Sequence, residues 1–152
     1  MRIEERFITA APPEIIWPVL ADVEHWNEWT PTVLTIKRLG NIPFGVGARY
    51  RVVQPRLRPA IYEVTECVPG RTFTWVQRFP GGSMTADHRI VQLDGITEVG
   101  LSFSSTGLLG NIVGAVFSKV IRNYVRIEAQ SLRDRCDRLL QSEPFAAGKK
   151  FQ

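Results

Sequence analysis

The sequence predicts an α+β fold: a curved antiparallel sheet of about seven strands wrapped around one long C-terminal helix, with two short helices between the first and second strands. Three observations lead there. From about Leu108 to Gln141 there is no proline, and apolar residues return at helical spacing, among them Val113, Phe117, Val120, Ile121, Tyr124, Leu132, Cys136 and Leu139. Lys119, Arg122, Arg126 and Arg133 lie between them, so the stretch reads as an amphipathic rod of roughly 50 Å. A rod that long cannot bury its own apolar face, and the preceding chain must supply a partner surface. Second, most of that preceding chain alternates with the two-residue period of a strand. Third, the alternating segments are separated by turn residues such as Pro69-Gly70, Pro80-Gly81-Gly82 and Asp94-Gly95, which make sequential neighbours antiparallel.

The elements follow in order. Arg2–Thr9 reads as the first strand and is stopped by Ala10-Ala11-Pro12-Pro13. A short helix is expected over Pro13–Ala21, with proline in the first turn where its missing N–H costs least, and with Pro18 favouring a kink or an early end. Asp22 caps a second short turn, Val23–Glu28, which contains Trp26, and Trp29 follows. Further strands are expected over Val33–Leu39, Ala48–Gln54, Ala60–Val68, Thr72–Arg78, Ser83–Leu93 and Thr97–Ser105. Gly107 then releases the chain into the long helix. Residues 1–141 make one domain, and 142–152 read as a flexible tail with little apolar matter to dock.

Composition narrows the class. With 152 residues, 44% of them apolar and 22% charged, the chain is an ordinary globule that needs no metal or disulfide staple. Cys67 and Cys136 have no metal-ligand spacing and read as buried, reduced thiols. Met1–Phe7 is charged, unlike a signal peptide, and Gly107–Ile121 is too short and broken to span a bilayer, so cytoplasmic residence without stable membrane insertion is expected. The net charge of +4 comes largely from arginines on the exposed face of the last helix. They are not interleaved with exposed aromatics, so a solvated face is expected and a nucleic-acid partner is not. The charge is compatible with a weak attraction to anionic membrane surfaces.

Several segments together carry a family resemblance. They are Ala10-Ala11-Pro12-Pro13-Glu14-Ile15-Ile16-Trp17, Asp22-Val23-Glu24-His25-Trp26-Asn27-Glu28-Trp29-Thr30-Pro31, Gly45-Val46-Gly47-Ala48-Arg49, Glu63–Arg71 and His88–Leu93. In this order, and followed by the terminal helix, they resemble the SRPBCC superfamily of helix-grip proteins. That superfamily includes polyketide cyclase/dehydrase-like proteins, START lipid-transfer domains and plant Bet v 1 proteins. The likeness covers about residues 2–140 and is closest to small bacterial members. It implies a helix-grip fold and a cavity for a hydrophobic small molecule.

A sheet that grips a helix leaves a gap of about 300–1,000 Å³. Strand parity turns Tyr50, Phe73, Trp75, Met84, His88, Ile90, Leu101 and Phe103 inward, the helix contributes Val113, Phe117, Val120 and Tyr124, and the short helices offer Trp26 and Trp29. These are the expected ligand-binding residues. His88 is the expected proton donor or acceptor, with Tyr50 and Tyr124 as further candidates. His25 reads as solvent-exposed. Asp87 and Arg89 should point away from His88, and Ser102 and Ser104 are out of phase with Phe103. There is no metal-ligand spacing, phosphate-cradling loop or dinucleotide fingerprint, so no cofactor is expected. The first reading is a carrier or binding protein for a lipid-like or aromatic molecule. The second is a polyketide cyclase- or dehydratase-like enzyme using the same pocket. A third is a partner-docking protein, which would have a filled interior and an apolar surface patch. The sequence sets no oligomeric state.

Overall fold

Seven strands form one antiparallel sheet: β1 (Arg2–Thr9), β2 (Thr35–Leu39), β3 (Arg49–Val53), β4 (Ala60–Val68), β5 (Thr72–Phe79), β6 (Gly82–Gln92) and β7 (Thr97–Thr106). Their spatial order is β1-β7-β6-β5-β4-β3-β2, so six strands follow one another and the first pairs with the last. The computed structural model describes residues 1–150, with side chains to residue 142. Between β1 and β2 lie helix α1 (Pro13–Ala21) and a 3-10 helix (Val23–Glu28). After β7 come α2 (Leu108–Val116) and α3 (Ser118–Lys150). This is the helix-grip architecture, and the strand alternation read from the sequence is interrupted by a register shift in the β4–β5 pairing.

Two details differ from expectation, and a third lies outside what the structure describes. The single helix from Leu108 is two, because Phe117 at φ −97° and ψ 12° leaves the helical region. The apolar period runs unbroken across that point, so only the packing reveals the break. Pro18 does not end α1, which continues to the buried Leu20 and closes with Asp22 N–H on the Pro18 carbonyl at 3.3 Å. The expected tail from residue 142 falls almost wholly outside the described side chains.

The sheet bends at a register shift between Val64 and Glu66 in β4, where one extra residue raises the local twist. Its concave face holds the core. Ile16 and Leu20 of α1, with Val23 and Trp26 of the 3-10 helix, plug one end. The C-terminal half of α3 lies against β1, β7 and α1 and buries Ala129, Leu132 and Cys136. Burying Leu132 alone stabilises by roughly 2 kcal/mol. The Thr9 hydroxyl donates to Asp137 at 2.7 Å and accepts the Ala11 N–H at 3.1 Å, fixing α3 to the β1–α1 joint. Both thiols are free; burial pushes Cys136 up to about 12, while Cys67 is half-buried.

The start of α2 is set by glycine. Gly107, at φ +81°, makes the turn out of β7 that a side chain would strain. At Gly82 a Cβ would run into the main chain of Gly110 and lie 2.8 Å from the Thr106 carbonyl. These are backbone atoms and cannot swing aside. Gly82→Ala is therefore expected to cost about 1–3 kcal/mol in chemical denaturation, the usual range for overpacking. A loss below a few tenths would show that α2 is not held on the sheet by this contact.

Candidate functional site

While the C-terminal half of α3 grips one edge of the sheet, its N-terminal half stands away from the other. The space between is a cavity of about 770 Å³. Its floor is the concave face of β2–β7, including Ile36, Val52, Tyr62, Trp75, Gln77, Met84, Ala86, His88, Leu101 and Phe103. Its roof is Leu109 and Val113 of α2, Phe117 at the break, and Ile121, Tyr124, Val125 and Glu128 of α3. Trp26 closes the inner end, held by its indole N–H donating to the Leu20 carbonyl at 3.0 Å. Gln54, Arg56, Leu57 and Arg58, from the loop between β3 and β4, form the mouth. The Tyr124 hydroxyl donates to the Pro55 carbonyl and ties that loop to α3.

The walls are mostly apolar, with His88 and Glu128 facing each other at the inner end and Gln77, Asp87 and Ser102 elsewhere in the lining. His88 is only 3% exposed. It stacks on Phe73 with ring centroids 4.1 Å apart, and the edges of Trp26 and Trp75 close around it. Its Nδ1 lies 3.3 Å from the Phe73 carbonyl. A carbonyl only accepts, so this bond puts the proton on Nδ1 and leaves Nε2 as the atom facing the cavity side. There Glu128 approaches, with Oε1 at 3.8 Å from Nε2. That distance exceeds a direct hydrogen bond. A donor placed beside this pair, such as a hydroxyl, finds an acceptor on either side. Tyr62 also lines the cavity, its ring 5.3 Å from that of Trp75; burial first, and the Glu128 charge second, hold its phenol well above the usual tyrosine range. It therefore stays a neutral hydroxyl that can both donate and accept.

The structure gathers most of the expected residues and separates others. Trp26, Trp75, Met84, His88, Leu101, Phe103, Val113, Phe117 and Tyr124 border the cavity. Tyr50, Phe73, Ile90, Trp29 and Val120 do not. Tyr50 is buried against Trp75 and Phe44, and burial raises its phenol. Phe73 lies behind His88, enclosed by Trp17, Trp26 and Phe44. Trp29 packs on Trp26 at 5.4 Å. Ile90 sits two residues beyond His88 on β6, in the filled part of the core. Val120 is half-buried at the margin of the roof stripe. The three proton-transfer candidates thus do not meet: Tyr50 is in the core, Tyr124 holds the mouth loop, and His88 is partnered by Glu128.

Glu128 and Tyr62 were not read from the sequence. Glu128 had a signal, being the only acid between Glu98 and Asp134 and one turn after Tyr124 on the apolar stripe. Asp87 and Ser102 are also among the residues that line the cavity, and Asp87 accepts from Thr74 at 2.6 Å and from Ser102 at 3.2 Å. His25 is exposed and paired with Asp22 at 2.8 Å, which raises its pKa above the usual histidine value. Among the described residues, no group of His, Cys, Asp or Glu is placed to hold a metal ion, and no helix is long and apolar enough to cross a membrane.

Known proteins share this fold. The Zhui aromatase/cyclase from Streptomyces sp. R1128 superposes with a TM-score of 0.73 at 18% identity, over 92% of this chain and 95% of its own. A START superfamily protein from Mycobacterium smegmatis gives 0.68 at 17% identity, over 91% and 98%. A protein from Thermus thermophilus gives 0.70 at 14% identity, over 90% and 97%. Likeness at such identities speaks for the fold alone. No curated protein matches the chain. Over residues 1–137 the sequence matches the family described as polyketide cyclase/dehydrase and lipid transport, and the chain belongs to that family.

Proposed function

We propose that the protein binds an elongated, mainly apolar molecule, ring-bearing or lipid-like, whose hydroxyl group enters first and is met by His88, Glu128 and Tyr62. The observation that carries this reading is the buried His88–Glu128 pair at the inner end of a mainly apolar cavity of about 770 Å³. Apolar walls supply affinity without direction, and a few convergent polar groups supply orientation. A ligand hydroxyl placed between Nε2 and Oε1 would donate to one acceptor of the facing pair. The partner-docking alternative needs a filled interior, and the interior is open.

A second reading has its own support in the same pair. A histidine and a carboxylate facing each other over 3.8 Å can take a proton from a carbon beside a carbonyl and return it to a departing hydroxyl. In ring closure the enolate so formed attacks a second carbonyl carbon of the same chain, whose C=O π pair becomes an alkoxide and takes the proton as a hydroxyl. Removal of a second proton from the attacking carbon then expels that hydroxyl as water. The cavity would hold the chain folded so that its ends meet.

Two measurements test the binding reading together. The native mass of freshly purified protein is expected to exceed its denatured mass by that of a small molecule. The tryptophan fluorescence of Trp26 and Trp75 is expected to quench saturably on titration with a hydroxylated anthraquinone or a long-chain fatty acid. Equal masses together with no quenching by either probe would refute the proposal.

A further inference from the structure

We infer that α2 and the rim around it form a docking surface for the face of an anionic phospholipid bilayer. Leu108, Ile112 and Val116 recur every fourth residue on α2, and they are 81%, 52% and 71% exposed. No charged residue occurs in α2. The opposite side of the helix carries Gly110 and Gly114, which rest on the sheet, so the apolar side chains are directed outward by the packing itself. Phe117, at the break, extends the patch towards the cavity mouth and is itself 38% exposed.

Charge selects the partner. No aspartate or glutamate occurs between Glu28 and Glu63, nor between Glu98 and Glu128, and these two segments frame the mouth. What they present is basic: Arg56 and Arg58 on the β3–β4 loop, Lys119 and Arg122 on the first turns of α3, all exposed. An apolar helical face with a cationic, acid-free border matches the interface of an anionic bilayer. There the apolar side chains enter the headgroup boundary, and the nearby cations add attraction to the anionic lipid. Docked this way, Leu109 and Phe117 would place the cavity mouth against the lipid. Only this last consequence rests on the ligand proposed above; the docking surface does not.

Flotation with phosphatidylcholine vesicles, with and without an equal share of phosphatidylglycerol, tests the inference. The protein should float with the anionic vesicles and be progressively released by salt. Leu108→Glu, Ile112→Glu and Val116→Glu together should weaken partitioning at least about tenfold, and Lys119→Glu with Arg122→Glu should abolish the preference for phosphatidylglycerol. Serine at the three apolar positions gives a milder set should the glutamates disturb folding. Failure of the wild type to float with anionic vesicles would overturn the inference, as would unchanged flotation of both triple variants. Capture of an acidic protein through α2 without vesicle binding would overturn it equally, assigning the face to a protein. Fluorescence quenching by the small-molecule probes, measured without vesicles, should persist in the triple variants. Its absence in protein that still floats would count against the ligand reading alone.

Discussion

Trp26→Ala should cost about 3–5 kcal/mol of folding stability, the range for removing a large buried aromatic. The side chain is 2% exposed and is the joint of the inner plug. It packs against Trp29, Phe73, Trp75 and His88, with centroids between 5.4 and 6.2 Å, and its N–H satisfies the Leu20 carbonyl at the end of α1. Alanine would therefore leave a void beside aromatics that lean on one another and a buried carbonyl without its donor. Urea unfolding followed by far-ultraviolet circular dichroism measures the loss. Trp29→Ala, which gives up its packing on the Trp26 ring but no such hydrogen bond, should cost less. A Trp26→Ala loss below about 1 kcal/mol would mean that the plug is not what closes this end.

The second large effect is expected at His88 and Glu128. Removing either partner should weaken binding of a hydroxylated anthraquinone by about ten- to a hundredfold, the worth of a hydrogen bond to a charged or facing acceptor. The double variant should lose little more than either single one, because the two act on the same ligand group. Glu128→Gln keeps the shape and tests the carboxylate itself. Binding isotherms decide this, and additive losses would show that the two residues do not share a ligand. If the protein is instead a cyclase-like enzyme, the pattern is different. His88→Ala should then abolish turnover of a linear poly-carbonyl substrate while affinity stays within a few-fold, whereas a carrier shows no turnover in any variant.

Much of the fold was legible because it depends on parity and punctuation. β1, α1 and β4 begin and end where proline, glycine and alternation place them, since those residues constrain the backbone directly. The break at Phe117 was not legible, because neither proline nor glycine stands there and the apolar period crosses it. Only the seat of Gly110 and Gly114 on the sheet separates α2 from α3. The site was legible by face but not by depth. Parity puts Tyr50, Phe73 and His88 on the concave side, yet it cannot say that Phe44 and Trp17 fill the space over Phe73 while the roof rises above Trp75. Glu128 was obscured for a different reason. An acid on an amphipathic helix ordinarily marks the solvent side, and this one faces a cavity that only the stand-off of α3 creates.

The pairing of β1 with β7 has a consequence for the order in which the chain can fold. Arg2 meets Ser104 and Thr9 meets Thr97, so the first strand of the sheet to be synthesised pairs with the last one of the sheet. β2 to β7 can zip progressively through short turns, but β1 must wait, its hydrogen-bonding edges unmet, until most of the chain has been made. Contacts so distant along the chain are slow to form, because a large loop must be closed before they stabilise anything. Thr9 also anchors α3 through Asp137, so the same late event seats the helix and encloses the cavity. The cavity is thus enclosed only once the sheet is complete.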